Sequence, residues 1–262
     1  MSPDVLPLAG LRVAVTRPRD DTAELRDLLA SAGAEPVVIP LTRVTPSGDD
    51  APLTTALAEL DRYDWIVFTS PRAVRAVAAL VTEWPGERLR IAVVGPATAA
   101  AARALIGRDA DCVSATPGGA GVVPAMREYG ILRDRHVLWP RAESSRPDVA
   151  RDLAREGAIF DDPIAYRTVT DAAAGRRLAG MVAAGDVDVV TFTAPSAVDC
   201  FADSAGHAGR CTIAVIGPTT AAAVRARGLP VDVESPQPAM TALVDALVQY
   251  REGTFRAWIW RP

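Results

Sequence analysis

The chain has 262 residues, 49% apolar and 23% charged, which suits one large domain or two small ones with a sizeable core. Its net charge of −4 gives no bulk attraction to nucleic acid or to an anionic membrane surface. No lysine occurs, so all 28 basic residues are arginines, which excludes Schiff-base catalysis and a P-loop lysine.

In chain order, a strand is predicted over Leu11–Thr16 and a helix over Thr22–Ala32. The extended, proline-punctuated segment Pro36–Pro46 follows, then a helix over Pro52–Asp61, a strand over Trp65–Thr69 and a helix over Pro71–Thr82. Next come strand Ile91–Val94, helix Ala97–Ile106, strand Asp111–Val113, helix Ala120–Tyr129, strand His136–Trp139 and helix Arg146–Glu156. A second extended segment, Ile159–Asp171, leads to helix Ala172–Ala184, strand Val187–Thr193 and helix Pro195–Ala205. Strand Thr212–Ile216, helix Pro218–Arg227, strand Val231–Val233 and helix Pro238–Tyr250 complete the series. The strands are apolar throughout rather than alternating, as expected for a parallel sheet covered on both faces. Repeated strand–helix units therefore predict an α/β fold.

The pattern occurs twice. YDWIVFTSPRAV at Tyr63–Val74 matches VDVVTFTAPSAV at Val187–Val198, and RIAVVGPATAAAARA at Arg90–Ala104 matches TIAVIGPTTAAAVRA at Thr212–Ala226, about 120 residues later. Two similar parallel-sheet α/β domains with flanking helices follow, and with them a cleft between two similar faces. Pro36–Pro46 and Ile159–Asp171 read as a two-stranded extended hinge between them. Which halves pair is not fixed by the repeat.

Several strands end in a small polar residue, a proline and a helix: Thr69-Ser70-Pro71, Gly95-Pro96-Ala97-Thr98, Thr193-Ala194-Pro195-Ser196 and Gly217-Pro218-Thr219-Thr220. Taken singly, each is a good helix start and needs no ligand to explain it. Taken together, they put several helix N-termini at strand ends, where α/β proteins bind anions. Arg17 and Arg72 sit at the same strand ends, as surface cations or as ligand contacts. No catalytic constellation is visible. His136 and His207 have no companions at metal-ligand spacing, and Cys112, Cys200 and Cys211 form no CxxC pair, so no metal site is expected. The odd cysteine count fits a reducing compartment. With no apolar run of bilayer length and no leader pattern, a cytoplasmic monomer that binds neither membrane nor nucleic acid is expected. Tyr166 lies on the second extended segment, as a packed aromatic or as a site residue.

The signatures FTSPRAV (Phe68–Val74) and IGPTTAAAV (Ile216–Val224), with VTRPRDDTAELRDLLASAGAEPVVIP (Val15–Pro40), PIAYRT (Pro163–Thr168) and Gly228–Leu247, resemble uroporphyrinogen-III synthases over nearly the whole chain. The resemblance implies an enzyme, a cyclising hydro-lyase, that closes hydroxymethylbilane to uroporphyrinogen III with inversion of ring D, in haem and other tetrapyrrole biosynthesis. It implies no cofactor. It also implies a discontinuous first domain (1–36 and 170–262), a second domain (46–160) and linkers at 37–45 and 161–169. The family's hinge tyrosine falls on Tyr166, which becomes the catalytic candidate. Arg17, Thr69, Ser70, Arg72, Gly95, Thr98, Thr193, Ser196, Gly217, Thr219 and Thr220 are the substrate-binding candidates. The alternative is a non-catalytic tetrapyrrole sensor of the same fold, as part of a regulatory fusion. Ala194, where the first half has Ser70, and the tail with Trp258 and Trp260 are the features that favour it.

Overall fold

A computed structural model describes residues 6–116, 119–205 and 211–253, so the Trp258 and Trp260 tail and His207 lie outside the described residues. The chain begins with β1 (Arg12–Val15), α1 (Ala23–Ser31), β2 (Glu35–Val38), β3 (Thr42–Thr45), α2 (Ala51–Ala58), β4 (Trp65–Phe68) and α3 (Pro71–Ala78). It continues with β5 (Arg90–Val94), α4 (Pro96–Ile106), β6 (Cys112–Ser114), α5 (Val122–Arg127), β7 (His136–Leu138), β8 (Arg141–Ala142), α6 (Asp148–Glu156) and β9 (Ile159–Asp161). It closes with β10 (Ile164–Thr170), α7 (Ala172–Ala184), β11 (Val189–Phe192), α8 (Pro195–Ala205), β12 (Thr212–Val215), α9 (Pro218–Ala226), β13 (Val233–Glu234) and α10 (Met240–Arg251).

Two compact units form. Unit 1 takes residues 1–43 and 169–262, and unit 2 takes residues 44–168. Each is built on a five-stranded sheet, β13-β12-β11-β1-β2 in unit 1 and β6-β5-β4-β7-β9 in unit 2. Every ladder in these two sheets is parallel. The two orders are the same arrangement entered at different points. β4, β5, β6, β7 and β9 correspond to β11, β12, β13, β1 and β2, which is the structural form of the repeat.

Alternate residues of each strand serve opposite faces, so each sheet carries two cores. In unit 2, Ile66, Phe68, Ile91 and Val93 pack with Leu53, Val74, Val77 and Ala102 of α2, α3 and α4. Trp65, Val67, Ala92 and Val137 pack on the other face with Val122, Met126, Val149 and Leu153 of α5 and α6. Unit 1 repeats the plan. Val190, Phe192, Ile213 and Val215 meet α7, α8 and α9, and Val13, Val15, Val189 and Ala214 meet Leu25, Leu29, Leu243 and Leu247 of α1 and α10. Each such side chain contributes about 1.5–3 kcal/mol on leaving water.

An aspartate recurs beside these strands. Asp188 Oδ2 accepts the Arg12 backbone N–H at 2.8 Å, and Asp64 Oδ2 accepts that of His136 at 2.9 Å. Asp111 and Asp232 do the same for Ile91 and Ile213, both at 2.7 Å. Each carboxylate ties the first or second residue of a strand to the segment beside it.

The two extended segments differ from expectation in two respects. Their first halves are edge strands of the main sheets, β2 beside β1 and β9 beside β7. Pro36 is accommodated because an edge strand can leave one side unpaired. Only their second halves, β3 and β10, share a small sheet apart from the main ones, and a third strand joins them in the order β3-β10-β8. Among the described residues no helix is long and apolar enough to cross a membrane. Nor do three His, Cys, Asp or Glu residues gather as a metal site there.

Candidate functional site

Strand order reverses between β4 and β7 in unit 2 and between β11 and β1 in unit 1. Outside the carboxyl ends of the strands at such a switch point, diverging connections leave a crevice for ligand. Thr69 and Ser70 follow β4, Thr193 follows β11, and Thr16 and Arg17 follow β1.

The switch point of unit 1 is fastened by two buried hydroxyls. Thr16 Oγ1 donates to the Thr191 carbonyl at 2.6 Å, and Thr191 Oγ1 donates to the Ala14 carbonyl at 2.7 Å. β1 and β11 are thereby held by side chains as well as by their ladder. Arg17 reaches Met240 Sδ with Nη1 at 3.1 Å.

Ser70 has extended backbone, φ −159° and ψ 153°, and its side chain accepts the Ala73 N–H at 3.2 Å, so it is the N-cap of α3. Pro71 follows at the first helical position, where a missing N–H costs nothing. α4, α8 and α9 also begin at proline: Pro96, Pro195 and Pro218. Gly95, the residue before α4, has φ +75°, a conformation that favours glycine. A Cβ built at Gly95 or at Gly217 would meet no atom within 4 Å, so both helix starts open onto space. Thr69, Arg72, Thr193 and Ser196 are half-buried around these starts, and Thr219 is exposed.

Two candidates sit elsewhere. Thr98 and Thr220 are 2% and 3% exposed. Each is the third residue of its helix, and the helical turn directs it back toward the sheet rather than outward. They belong to the packing of α4 and α9, not to an open surface.

Tyr166 lies on β10, is 8% exposed and packs into the unit 2 core beside Phe68 and Ala73. Its hydroxyl is 2.9 Å from Ser70 Oγ. One hydroxyl donates to the other, and Ser70 Oγ accepts the Ala73 N–H as well. Residues 96 apart in the chain are thus joined at the end of β4. The backbone of Tyr166 is fixed as well, since its carbonyl accepts the Glu143 N–H at 3.0 Å beside β8.

Sequence reasoning missed Arg141 and Arg167. Arg141 is in β8, too short for a periodic signal, and its Nε meets Asp162 at 2.8 Å. Arg167 has a buried Nε with no hydrogen-bond partner among the described residues and lies against Gly48, where a Cβ would come within 3.0 Å of its guanidinium. Gly48, with φ +92°, leaves room for it.

Comparison with known proteins gives the family. The family model of uroporphyrinogen-III synthase HemD matches residues 23–245. A uroporphyrinogen-III synthase of Synechococcus elongatus is 25% identical over 262 residues, covering 95% of this chain and 98% of its own. A Methanothermobacter thermautotrophicus protein, named as a candidate for the same enzyme, is 30% identical over 230 residues, 83% of this chain and 90% of its own. In fold, a crystal structure of uroporphyrinogen III synthase from Thermus thermophilus superposes with a TM-score of 0.62 at 18% identity, covering 93% of this chain and 99% of that one. The Helicobacter pylori structure gives 0.59 at 15% identity, covering 91% and 98%. With the family model matching residues 23–245, most of the chain, the chain belongs to the uroporphyrinogen-III synthase family.

Proposed function

We propose that this chain closes the linear tetrapyrrole hydroxymethylbilane to uroporphyrinogen III, releasing one water and inverting ring D. Membership of the family is the observation that carries the reading. The chemistry of the strand ends supports it. The substrate bears eight carboxylates, and both units present helix starts, hydroxyls and arginines at the carboxyl ends of their sheets. Ser70, Thr69, Arg72 and Gly95 in unit 2, and Arg17, Thr193, Ser196, Gly217 and Thr219 in unit 1, are the proposed contacts.

The reaction asks little of strong acids or bases. The pyrrole nitrogen lone pair of ring A expels the terminal hydroxyl, which leaves as water once it gains a proton. An azafulvenium cation results. Attack by the substituted carbon of ring D gives a spiro intermediate, whose fragmentation and reclosure reverse that ring, and the final loss of a proton restores the aromatic pyrrole. The protein's tasks are to assist the departing hydroxyl and to hold ring D in register, a problem of orientation. Tyr166 suits the first task. The contact with Ser70 holds its hydroxyl in place. In this role it hydrogen-bonds the leaving hydroxyl while solvent-derived protons complete the water.

The test is turnover of freshly prepared hydroxymethylbilane with the product isomers separated. Type III product formed in proportion to enzyme supports the reading. Type I product alone, at the spontaneous rate, rejects it in favour of the sensor.

A further inference from the structure

Unit 1 contains a hollow of about 300 Å³ that no candidate residue lines. Its walls include Arg19, Pro40, Thr42, Arg43, Asp171 and Arg177. Arg19 follows β1 and Pro40 follows β2, so the hollow lies at the carboxyl end of the unit 1 sheet, the end that also carries Thr193 and Gly217. None of the three guanidiniums has a hydrogen-bond or ion-pair partner among the described residues. Other arginines are engaged: Arg227 joins Asp199 and Asp203, and Arg12 joins Asp186 and Asp188. The hollow sets one carboxylate against three guanidiniums. Asp171 Oδ1 caps α7, accepting the Ala173 and Ala174 N–H groups at 3.0 Å each. Three cations around so small a volume repel one another, and a ligand with more than one negative charge relieves that repulsion.

We propose that this hollow is a carboxylate subsite which takes acidic arms of the substrate, an inference that rests on the function proposed above. A volume near 300 Å³ is at the lower limit for a ligand pocket. It is too small for four pyrroles but fits a pair of acetate or propionate arms. Arginine supplies two parallel N–H donors to each carboxylate, so the subsite sets register as well as affinity. Thr42, buried beside the hollow, leaves its floor polar.

The experiment replaces Arg19, Arg43 and Arg177 with glutamine, singly and together. It reads KM and kcat for hydroxymethylbilane and, separately, quenching of the protein's tryptophan fluorescence by uroporphyrin III (eight carboxylates) and coproporphyrin III (four). The expected result is a KM raised at least tenfold in the triple variant, with a smaller effect on kcat. Weaker binding of uroporphyrin III, and recovery of part of it by the triple lysine variant, accompany that change. A KM and a uroporphyrin affinity within twofold of the unmodified protein overturn the proposal. If the unmodified protein makes no type III product, the functional reading fails while the porphyrin titration still judges the subsite. Should the triple variant not fold, Arg177→Gln alone, on an exposed helical position, carries the same comparison at threefold or more.

Discussion

Tyr166 is buried among apolar neighbours, yet its hydroxyl is held at 2.9 Å by Ser70, a residue already occupied as a helix cap. If the phenol assists the departing hydroxyl, Tyr166→Phe lowers kcat by up to about 10²-fold, the lower range of general-acid effects. KM changes little, because the contact strengthens mainly in the transition state. Product that stays type III at a reduced rate assigns Tyr166 to the leaving group, and an unchanged rate returns it to packing. Ser70→Ala removes the cap of α3 together with the partner of Tyr166. A loss of about 0.5–2 kcal/mol is expected for the cap, seen as a lower urea midpoint, with reduced turnover beside it. The thiols are expected to be inert. Burial, with Asp111 and Glu128 nearby, pushes Cys112 up to about 11, and burial beside Asp232 pushes Cys211 up to about 11. Slow alkylation of both by iodoacetamide at pH 8 checks this, and rapid alkylation of the folded protein contradicts it. At this scale the sequence was informative about residue type and silent about partners. Tyr166 stood out by its place on an extended segment, but its contact with Ser70 bridges 96 positions, which no local pattern encodes. Thr98 and Thr220 looked like Ser70 in sequence and proved buried, because their place in the first turn, not their chemistry, decides where they point.

Among the elements, the aspartates that accept strand backbone N–H groups are a repeated device. The Arg12 backbone N–H, aided by its guanidinium, holds the Asp188 carboxyl below the usual carboxylate range. Its folded pKa is therefore below its unfolded one. The contribution to stability is present above the unfolded value and is lost as pH falls through the folded value. Asp188→Asn is expected to lower the urea midpoint at pH 7, and the gap from the unmodified protein should close below about pH 4. A gap independent of pH would contradict the charge argument. At the start of α4, φ +75° makes Gly95→Ala costly despite the open space around it, by about 1–2 kcal/mol. Element positions were legible because proline or glycine punctuates at least one end of most helices. β2 was harder to assign, since an edge strand tolerates the proline that argued against it, and β9 and β8 have three and two residues, too few for any period.

The whole molecule is one α/β plan used twice, with the strand order of the second unit matched in the first by a chain that enters at a different point. Repetition was readable from FTSPRAV and FTAPSAV, but the pairing of the first strand with the last three depends on contacts between distant segments. Each unit offers a switch point with helix starts beside it, and the proposed polyanion receptor needs no cluster of strong acids or bases. Binding should then depend on salt. The account predicts a KM for hydroxymethylbilane that rises steadily between 0.05 and 0.5 M potassium chloride, as screening weakens the arginine contacts. The central claim is that the chain directs closure to the inverted isomer, and the most direct measurement is the isomer ratio of product made from hydroxymethylbilane at increasing enzyme concentration. A type III fraction that rises with enzyme until it accounts for nearly all product is the predicted result. A type I product whose share and rate do not respond to enzyme would contradict it.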